Sequence, residues 1–170
     1  MRIMPCIKLR RRAGTGWKDR VKTLIVSAAL IIEGGKTLVT QRKEGASLGL
    51  LWEFPGGKIE QCEEPRQALK RELREELGIE VKVGPLFGAT FYPYPEYPVL
   101  LLVYRCSVEK GVPRPLKSRD LRWASFDELN ELTMPPADEP IRRQLSSLGE
   151  SHPSSSSRVV SLASWEGREE

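Results

Sequence analysis

The sequence has few of the residues from which many enzyme sites are built. Its only histidine, His152, lies in a serine-rich stretch near the C-terminus, so a catalytic triad that uses histidine is not expected. The three cysteines, Cys6, Cys62 and Cys106, lack the paired spacing of a zinc site. An odd number of cysteines without that spacing favours reduced thiols.

Long apolar segments are also missing from the sequence. Apolar runs such as residues 28–32 are short, whereas a membrane helix needs about 20 apolar residues. The N-terminus is basic and has no apolar signal core. We therefore expect a cytoplasmic protein that has no membrane partner.

Charge is unevenly distributed along the chain. The 170 residues carry a formal net charge of +4, yet residues 1–22 are strongly basic and contain one acid, Asp19. A basic arm of this kind can contact nucleic acid, although a solvated extension is the more common outcome and is the one we favour. The sequence thus predicts a basic extension at 1–20, one folded domain at 21–148 and a Ser-rich, disordered tail at 149–170.

Apolar periodicity predicts an α+β fold with helices packed on a mixed β-sheet. Strands are predicted at residues 23–32, 36–42, 51–54, 79–83, 86–92, 99–107 and 121–124. Helices are predicted at residues 65–77, 125–132 and 139–148. Pro55, Gly56 and Gly57 are expected to form a bend between the third strand and the first helix.

Carboxylates crowd one face of the first predicted helix. Glu72, Glu75 and Glu76 lie at positions i, i+3 and i+4. On an ordinary solvated face Arg71 would pair with Glu75, but Glu72 and Glu76 would still repel each other by about 0.2–0.5 kcal/mol. A bound cation reverses that cost, and hard oxygen ligands suit Mg²⁺ or Mn²⁺. Magnesium held by carboxylates implies a polyphosphate substrate.

Fixed residues recur at fixed spacing from Gly57 to Ile79. Five residues separate Gly57 from Glu63, and seven separate Glu63 from Arg71. The run RELREELGI then follows from Arg71. This pattern resembles the signature of the Nudix hydrolase family, and every position of that signature is matched.

Two further segments, LWEFPGGK from Leu51 and MPPADEP from Met134, are similar to the MutT-like branch of that family. The resemblance covers about residues 21–148. It implies an α/β/α sandwich and a Mg²⁺- or Mn²⁺-dependent enzyme. The implied reaction is hydrolysis of a normal or damaged (d)NTP to a nucleoside monophosphate and pyrophosphate, as in sanitation of the nucleotide pool.

The resemblance also implies roles for individual residues. The metal would be bound by Glu72, Glu75 and Glu76 and by the carbonyl of Gly56. Arg71 would orient the glutamates by bidentate pairing, and Glu63 would brace the loop. Arg71 and the three glutamates are therefore the expected catalytic residues.

Three residues outside the signature are expected to bind substrate: Arg42, Glu53 and Asp138. Arg42 matches a position that contacts phosphate or sugar, and its alternative is an exposed arginine at a strand end. Asp138 matches a position that reads the nucleobase, and its alternative is a helix cap worth about 1 kcal/mol. An ionised aspartate only accepts hydrogen bonds, which modestly favours CTP or dCTP over 8-oxo-dGTP.

One position departs from the family pattern. Several members have a glutamate six residues before the tryptophan of the late strand, where this chain has Lys117 before Trp123. The general base is therefore unassigned. Asp120 and Glu109 are candidates, as are Glu75 and Glu76.

Other functions remain open at the level of sequence. A Nudix hydrolase of this kind can also cleave a nucleoside diphosphate linked to a sugar or to another nucleotide. A catalytically impaired module that binds nucleotide or RNA is the third alternative, which Lys117 and the basic arm favour and the intact glutamates oppose. The expected partner is a nucleotide substrate, and we expect a monomer or a homodimer.

Overall fold

The structure is a computed structural model that describes the backbone of residues 22–150 and the side chains of residues 22–147. The predicted basic extension at 1–20 and residues 151–170 of the tail predicted at 149–170 lie outside the described residues, whereas residues 149–150 belong to the last helix. The strands are β1 (Leu24–Glu33), β2 (Lys36–Gln41), β3 (Trp52–Glu53), β4 (Gly56–Lys58), β5 (Glu80–Pro93), β6 (Pro98–Lys110) and β7 (Asp120–Ser125). The helices are α1 (Pro65–Leu77), α2 (Phe126–Glu131) and α3 (Glu139–Glu150).

The described strands form one mixed sheet, as predicted. Its main order is β3-β2-β1-β6-β5, while β4 pairs with β1 and β7 pairs with β2. The central strands β1 and β6 are parallel, and the other pairs are antiparallel. β1 and β2 form the predicted hairpin, in which Gly34 and Gly35 both adopt positive φ angles.

Helices cover both faces of this sheet, because the side chains of β1 alternate between two apolar cores. Ala28 and Leu30 point into one core, and Ala29 and Ile31 point into the other. The first core contains residues of α2 and α3: Leu129, Ile141 and Leu145. The second core contains residues of α1: Leu69, Leu73 and Leu77. The α/β/α sandwich is therefore confirmed.

Helix α1 begins and ends where its sequence signals predict. The side chain of Glu64 accepts a hydrogen bond from the backbone N–H of Gln67, and Pro65 occupies the first turn. At the other end Gly78 adopts a left-handed conformation, and its N–H bonds to the carbonyl of Arg74. The caps set the ends of the helix, and burial of Leu69, Leu73 and Leu77 leaves the carboxylate face outside the core.

Two predictions about strands are wrong. Residues 79–83 and 86–92 were expected to be separate strands, but β5 is continuous because shifts in its register with β6 accommodate Gly84 and Pro85. Residues 55–57 were expected to be only a bend, but Gly56 and Gly57 lie in β4, which pairs with β1. A Cβ at Gly56 would lie 2.2 Å from the carbonyl oxygen of Ser27, so this pairing requires glycine.

Two further observations concern the cysteines and membrane-spanning helices. Cys106 is a free thiol, in agreement with the expectation of reduced cysteines. Between residues 22 and 150, no helix combines the length and the hydropathy needed to cross a membrane.

Candidate active site

Arg71 connects the loop before α1 to the carboxylate face of that helix. Its Nε and Nη2 donate to the two carboxylate oxygens of Glu63 over 2.9 Å each, and its Nη1 donates to Glu72 Oε1 over 2.6 Å. These contacts lower the pKa of Glu63 to about 2, mainly through the hydrogen bond from Arg71. Glu75 lies 3.9 Å from Arg71, so the pairing expected on a plain solvated helix is the weakest of the three.

Two adjacent glycines of β4 create the space that these carboxylates occupy. A Cβ at Gly57 would lie 2.3 Å from Cδ of Glu72, so any larger residue there displaces the carboxylate. Gly56 approaches the backbone of β1 and presents its own backbone beside the same helix face. Gly56, Gly57 and Glu72 all line one cavity.

Glu76 is a partly buried carboxylate that forms no ion pair with the described residues, although the charges of Lys117 and Arg42 act to lower its pKa. Burial raises its pKa to about 7, and the charges of Glu72 and Glu53 add to this effect. A carboxylate that is desolvated beside two others is stabilised by any cation that enters the site. Glu76 also lines the cavity.

Glu75 differs from the other two glutamates of this face. Its Oε2 lies 2.6 Å from Nζ of Lys117, and the hydrogen bond from Lys117 lowers its pKa. The same contact raises the pKa of Lys117. Glu75 is more exposed than Glu72 and does not belong to the lining of the cavity. The residue at the position that departs from the family pattern therefore contacts a candidate metal ligand.

Arg42 and Glu53 form an ion pair at the end of β2. Nη1 of Arg42 lies 2.7 Å from Glu53 Oε2, and Nε of Arg42 donates to the carbonyl of Ser47. Burial raises the pKa of Glu53 in spite of Arg42. Both side chains line the cavity, so Arg42 is more than an exposed arginine at a strand end.

Asp138 is 6% exposed and contacts a residue far away in the sequence. Its backbone carbonyl accepts the first hydrogen bond of α3, from Arg142, but its carboxylate accepts from the backbone N–H of Phe54 over 3.3 Å. Burial raises the pKa of Asp138 to about 8, and the charge of Glu53 adds to this effect. Burial therefore favours the protonated carboxyl in the substrate-free protein, whereas the argument from sequence took Asp138 to be ionised.

A single cavity of about 800 Å³ brings these groups together. This volume lies within the range of about 300–1,000 Å³ that is usual for small-molecule sites. The cavity is lined by Glu72, Glu76, Arg42, Glu53 and Asp138, and also by apolar side chains of β1 and β6: Leu24, Val26, Val99 and Leu101. This apolar wall was not predicted from the sequence. Side chains of β1 and β6 alternate between the two faces of the sheet, but their shared face becomes apparent only once the parallel pairing of the two strands is known.

The expected metal ligands are neighbours, but they do not converge on one point. Within the described residues, no group of three or more His, Cys, Asp or Glu side chains is arranged to hold a metal ion. Nη1 of Arg71 contacts Glu72, and Nζ of Lys117 contacts Glu75. The donors needed are present on one helix face, and two of them are engaged by cationic side chains.

The two acids considered as alternative bases are not at the cavity. Asp120 accepts a hydrogen bond from the backbone N–H of Leu121, and Glu109 lines a small depression with Lys70, Arg74 and Glu80. Neither lines the cavity. The carboxylates that do face it include Glu53, Glu72 and Glu76.

Comparison with known proteins agrees with this geometry. A family model for the NUDIX domain matches residues 27–144. A CTP pyrophosphohydrolase of Escherichia coli (strain K12) is 35% identical over 133 residues, which are 78% of this chain and 98% of the relative. An 8-oxo-dGTP diphosphatase of the same organism is 34% identical over 129 residues, which are 75% of this chain and 100% of the relative.

The fold is similar to that of solved structures as well. The solution structure of the E. coli ORF135 protein matches with a TM-score of 0.67 at 35% sequence identity, over 79% of this chain and 96% of that one. The family model covers more than half of the chain, and relatives above 30% identity are matched over nearly their whole length. The chain therefore belongs to the NUDIX domain family and is a Nudix hydrolase.

Proposed function

We propose that this enzyme hydrolyses a nucleoside triphosphate to the nucleoside monophosphate and pyrophosphate and that it depends on Mg²⁺ or Mn²⁺. One observation carries the proposal: a single cavity is lined both by the carboxylate face of α1 and by apolar side chains of β1 and β6. The first surface suits a metal-bound polyphosphate, and the second suits a nucleobase.

The metal would be held by Glu72, Glu76 and the carbonyl of Gly56, with Glu75 joining once it leaves Lys117. The residues fit such an ion, since Glu76 is desolvated without a cationic partner among the described residues and Gly57 leaves room for the Glu72 carboxylate. All of these donors are hard oxygens, which suit Mg²⁺ and Mn²⁺. When bound, the ion would neutralise phosphate oxygens and activate water.

The remaining residues of the site orient these groups and bind substrate. Arg71 keeps Glu72 fixed and ties it to Glu63. Arg42 supplies a guanidinium group at the cavity, where it binds phosphate or sugar. Glu53, held by Arg42, accepts hydrogen bonds from the substrate.

Asp138 reads the base. A protonated carboxyl offers one donor and one acceptor, whereas an ionised carboxylate offers acceptors only. Cytosine presents an amino donor beside a ring-nitrogen acceptor, and oxidised guanine presents a ring N–H beside a carbonyl. Both bases match the protonated form. The two E. coli relatives, a CTP pyrophosphohydrolase and an 8-oxo-dGTP diphosphatase, make CTP, dCTP and 8-oxo-dGTP the first substrates to test.

The test is a panel of nucleotides with Mg²⁺ or Mn²⁺, scored separately for pyrophosphate and orthophosphate. We expect pyrophosphate from at least one of CTP, dCTP and 8-oxo-dGTP, and no release in EDTA. Reaction in oxygen-18 water is expected to label pyrophosphate, as attack at the β-phosphorus requires. Release of orthophosphate, or cleavage of nucleotide sugars alone, would overturn the proposal.

A further inference from the structure

Lys117 is the one cationic side chain that the described structure places against Glu75 at hydrogen-bond distance. The distance from its Nζ to Glu75 Oε2 is 2.6 Å, across 42 residues of chain. Glu75 carries the charge that a metal ion would need, but its carboxylate is turned to Lys117 and away from the cavity lining.

Backbone contacts fix the segment that carries Lys117. The loop between β6 and β7, residues 111–119, crosses the C-terminal end of α1. The N–H of Leu116 donates to the carbonyl of Glu76 over 2.9 Å, and the N–H of Arg114 donates to the carbonyl of Leu77 over 3.1 Å. Those carbonyls belong to the last helical turn, which has no intrahelical donors for them. On the other side of Lys117, the N–H of Arg119 bonds to the carbonyl of Gln41.

These anchors place the ammonium group beside the carboxylate face as a consequence of the fold. The anchors at residues 116 and 119 flank Lys117 closely, so the loop cannot move the ammonium far from Glu75 without breaking backbone hydrogen bonds. The contact itself is half exposed, and pairs of this kind are weak enough for a divalent ion to displace.

We propose that Lys117 is a positioning residue that competes with the divalent ion for Glu75 and so weakens metal binding in the substrate-free protein. The inference rests on the proposed function, because it takes Glu75 to be a metal ligand. Lys117 acts through Glu75 and is not itself a catalytic residue. Metal bound in the absence of substrate then uses Glu72 and Glu76, and Glu75 joins only when its ion pair opens.

Binding of Mn²⁺ to the full chain without nucleotide, measured by calorimetry or electron paramagnetic resonance, tests this directly. We expect Lys117→Gln to tighten Mn²⁺ binding about three- to tenfold, since it removes the cation that competes for Glu75. Lys117→Arg keeps the charge and should stay within about twofold of the wild type. Unchanged or weaker binding in Lys117→Gln overturns the proposal.

Two controls separate a specific contact from general charge. Arg119→Gln removes a positive charge from the same loop, where Arg119 forms no ion pair with a described residue, and should leave Mn²⁺ affinity nearly unchanged. In a Glu75→Gln background, Lys117→Gln should lose its effect, because the two substitutions act on one contact. The proposal is overturned if Arg119→Gln increases Mn²⁺ affinity as much as Lys117→Gln does. It is also overturned if Lys117→Gln still increases Mn²⁺ affinity in the Glu75→Gln background.

The thermal midpoint in EDTA verifies that each variant is folded, and Lys117→Met replaces Lys117→Gln if the latter is not. Because nucleotide is absent, the outcome does not depend on which substrate the enzyme cleaves. A tightened Mn²⁺ site in a protein that hydrolyses no nucleotide would refute the proposed function and leave this inference standing. Nucleotide hydrolysis by the wild type, combined with an unchanged Mn²⁺ affinity in Lys117→Gln, would refute this inference and leave the proposed function standing.

Discussion

The carboxylate of Asp138 accepts a hydrogen bond from the backbone N–H of Phe54, a residue 84 positions earlier in the chain. A second bond in the same region runs from the N–H of Trp52 to the carbonyl of Thr133 over 2.9 Å. The loop before α3 is thus fastened to β3, the strand that carries Glu53. Glu53 and Asp138, the two carboxyl groups proposed to bind substrate, are thus held together from distant parts of the sequence.

Replacing Asp138 with Asn should make the folded protein more stable at pH 8. The carboxyl has an ordinary pKa of 3.8 and a folded pKa of about 8, so folding takes up a proton between these values. Wild-type stability therefore falls as pH rises from about 4 to 8, whereas Asn has no proton to lose. Between pH 5 and 8, urea unfolding should show the wild type losing at least about 1 kcal/mol more than the variant. Asp127→Asn, at an exposed site, is the control, and parallel curves for Asp138→Asn would contradict the prediction.

The same substitution should alter the choice of base. An amide and a protonated carboxyl differ in the donors and acceptors that they offer. We expect Asp138→Asn to change the ratio of kcat/KM between CTP and 8-oxo-dGTP by at least about tenfold, the equivalent of roughly 1.4 kcal/mol. If kcat/KM falls by the same factor for all substrates, Asp138 stabilises the loop before α3 and does not distinguish the bases.

Replacing Glu76 with Gln should have opposite effects on activity and stability. The change removes a charge that a metal ion needs, so kcat should fall more than about 100-fold. It also removes a desolvated charge beside Glu72, so in EDTA above neutral pH the variant should unfold at a higher temperature than the wild type. Glu131→Gln, at an exposed position of α2, should change neither quantity. Wild-type turnover in Glu76→Gln would refute the metal assignment.

Replacing Arg71 with Lys should impair activity although the charge is kept. A lysine cannot reproduce the two parallel bonds to Glu63 while also holding Glu72. We expect metal affinity or kcat to fall about 10- to 100-fold. Arg74→Lys, one turn onward on the exposed side of α1, is the matched control and should retain wild-type values.

A chain shortened to residues 21–150 should fold and keep kcat/KM within about twofold of the full chain. Both apolar cores are built from residues between Leu24 and Leu145, and the proposed site residues lie in the same span. Circular dichroism and steady-state kinetics check this expectation. A folded but inactive shortened chain would assign a catalytic contribution to one of the removed segments.

Local signals explain which parts of the structure can be predicted from sequence. The limits of α1 follow from Glu64, Pro65 and Gly78, which act within one turn of the residues that they cap. The carboxylate face follows from helical periodicity for the same reason. The pairing of β4 with β1 does not, because it depends on how closely Gly56 approaches Ser27, which is remote in the chain.

The environments of Asp138 and Glu75 cannot be predicted from sequence, because they depend on long-range contacts. The protonation state of Asp138 reflects its burial, and the partner of Glu75 reflects the path of a loop 42 residues away. Neither environment is visible in the residues that surround Asp138 or Glu75 in the sequence. The departure at Lys117 is readable from sequence, but its contact is a property of the folded chain.

The loop between β6 and β7 is fastened on both sides of Lys117 by backbone N–H groups, which every residue except proline possesses. Because Lys117 itself is exposed, its side chain can change without disturbing those bonds. Natural variation at this position is thus nearly free of cost to the fold. The proposed competition for Glu75 can therefore be adjusted by a single substitution that leaves these backbone hydrogen bonds in place.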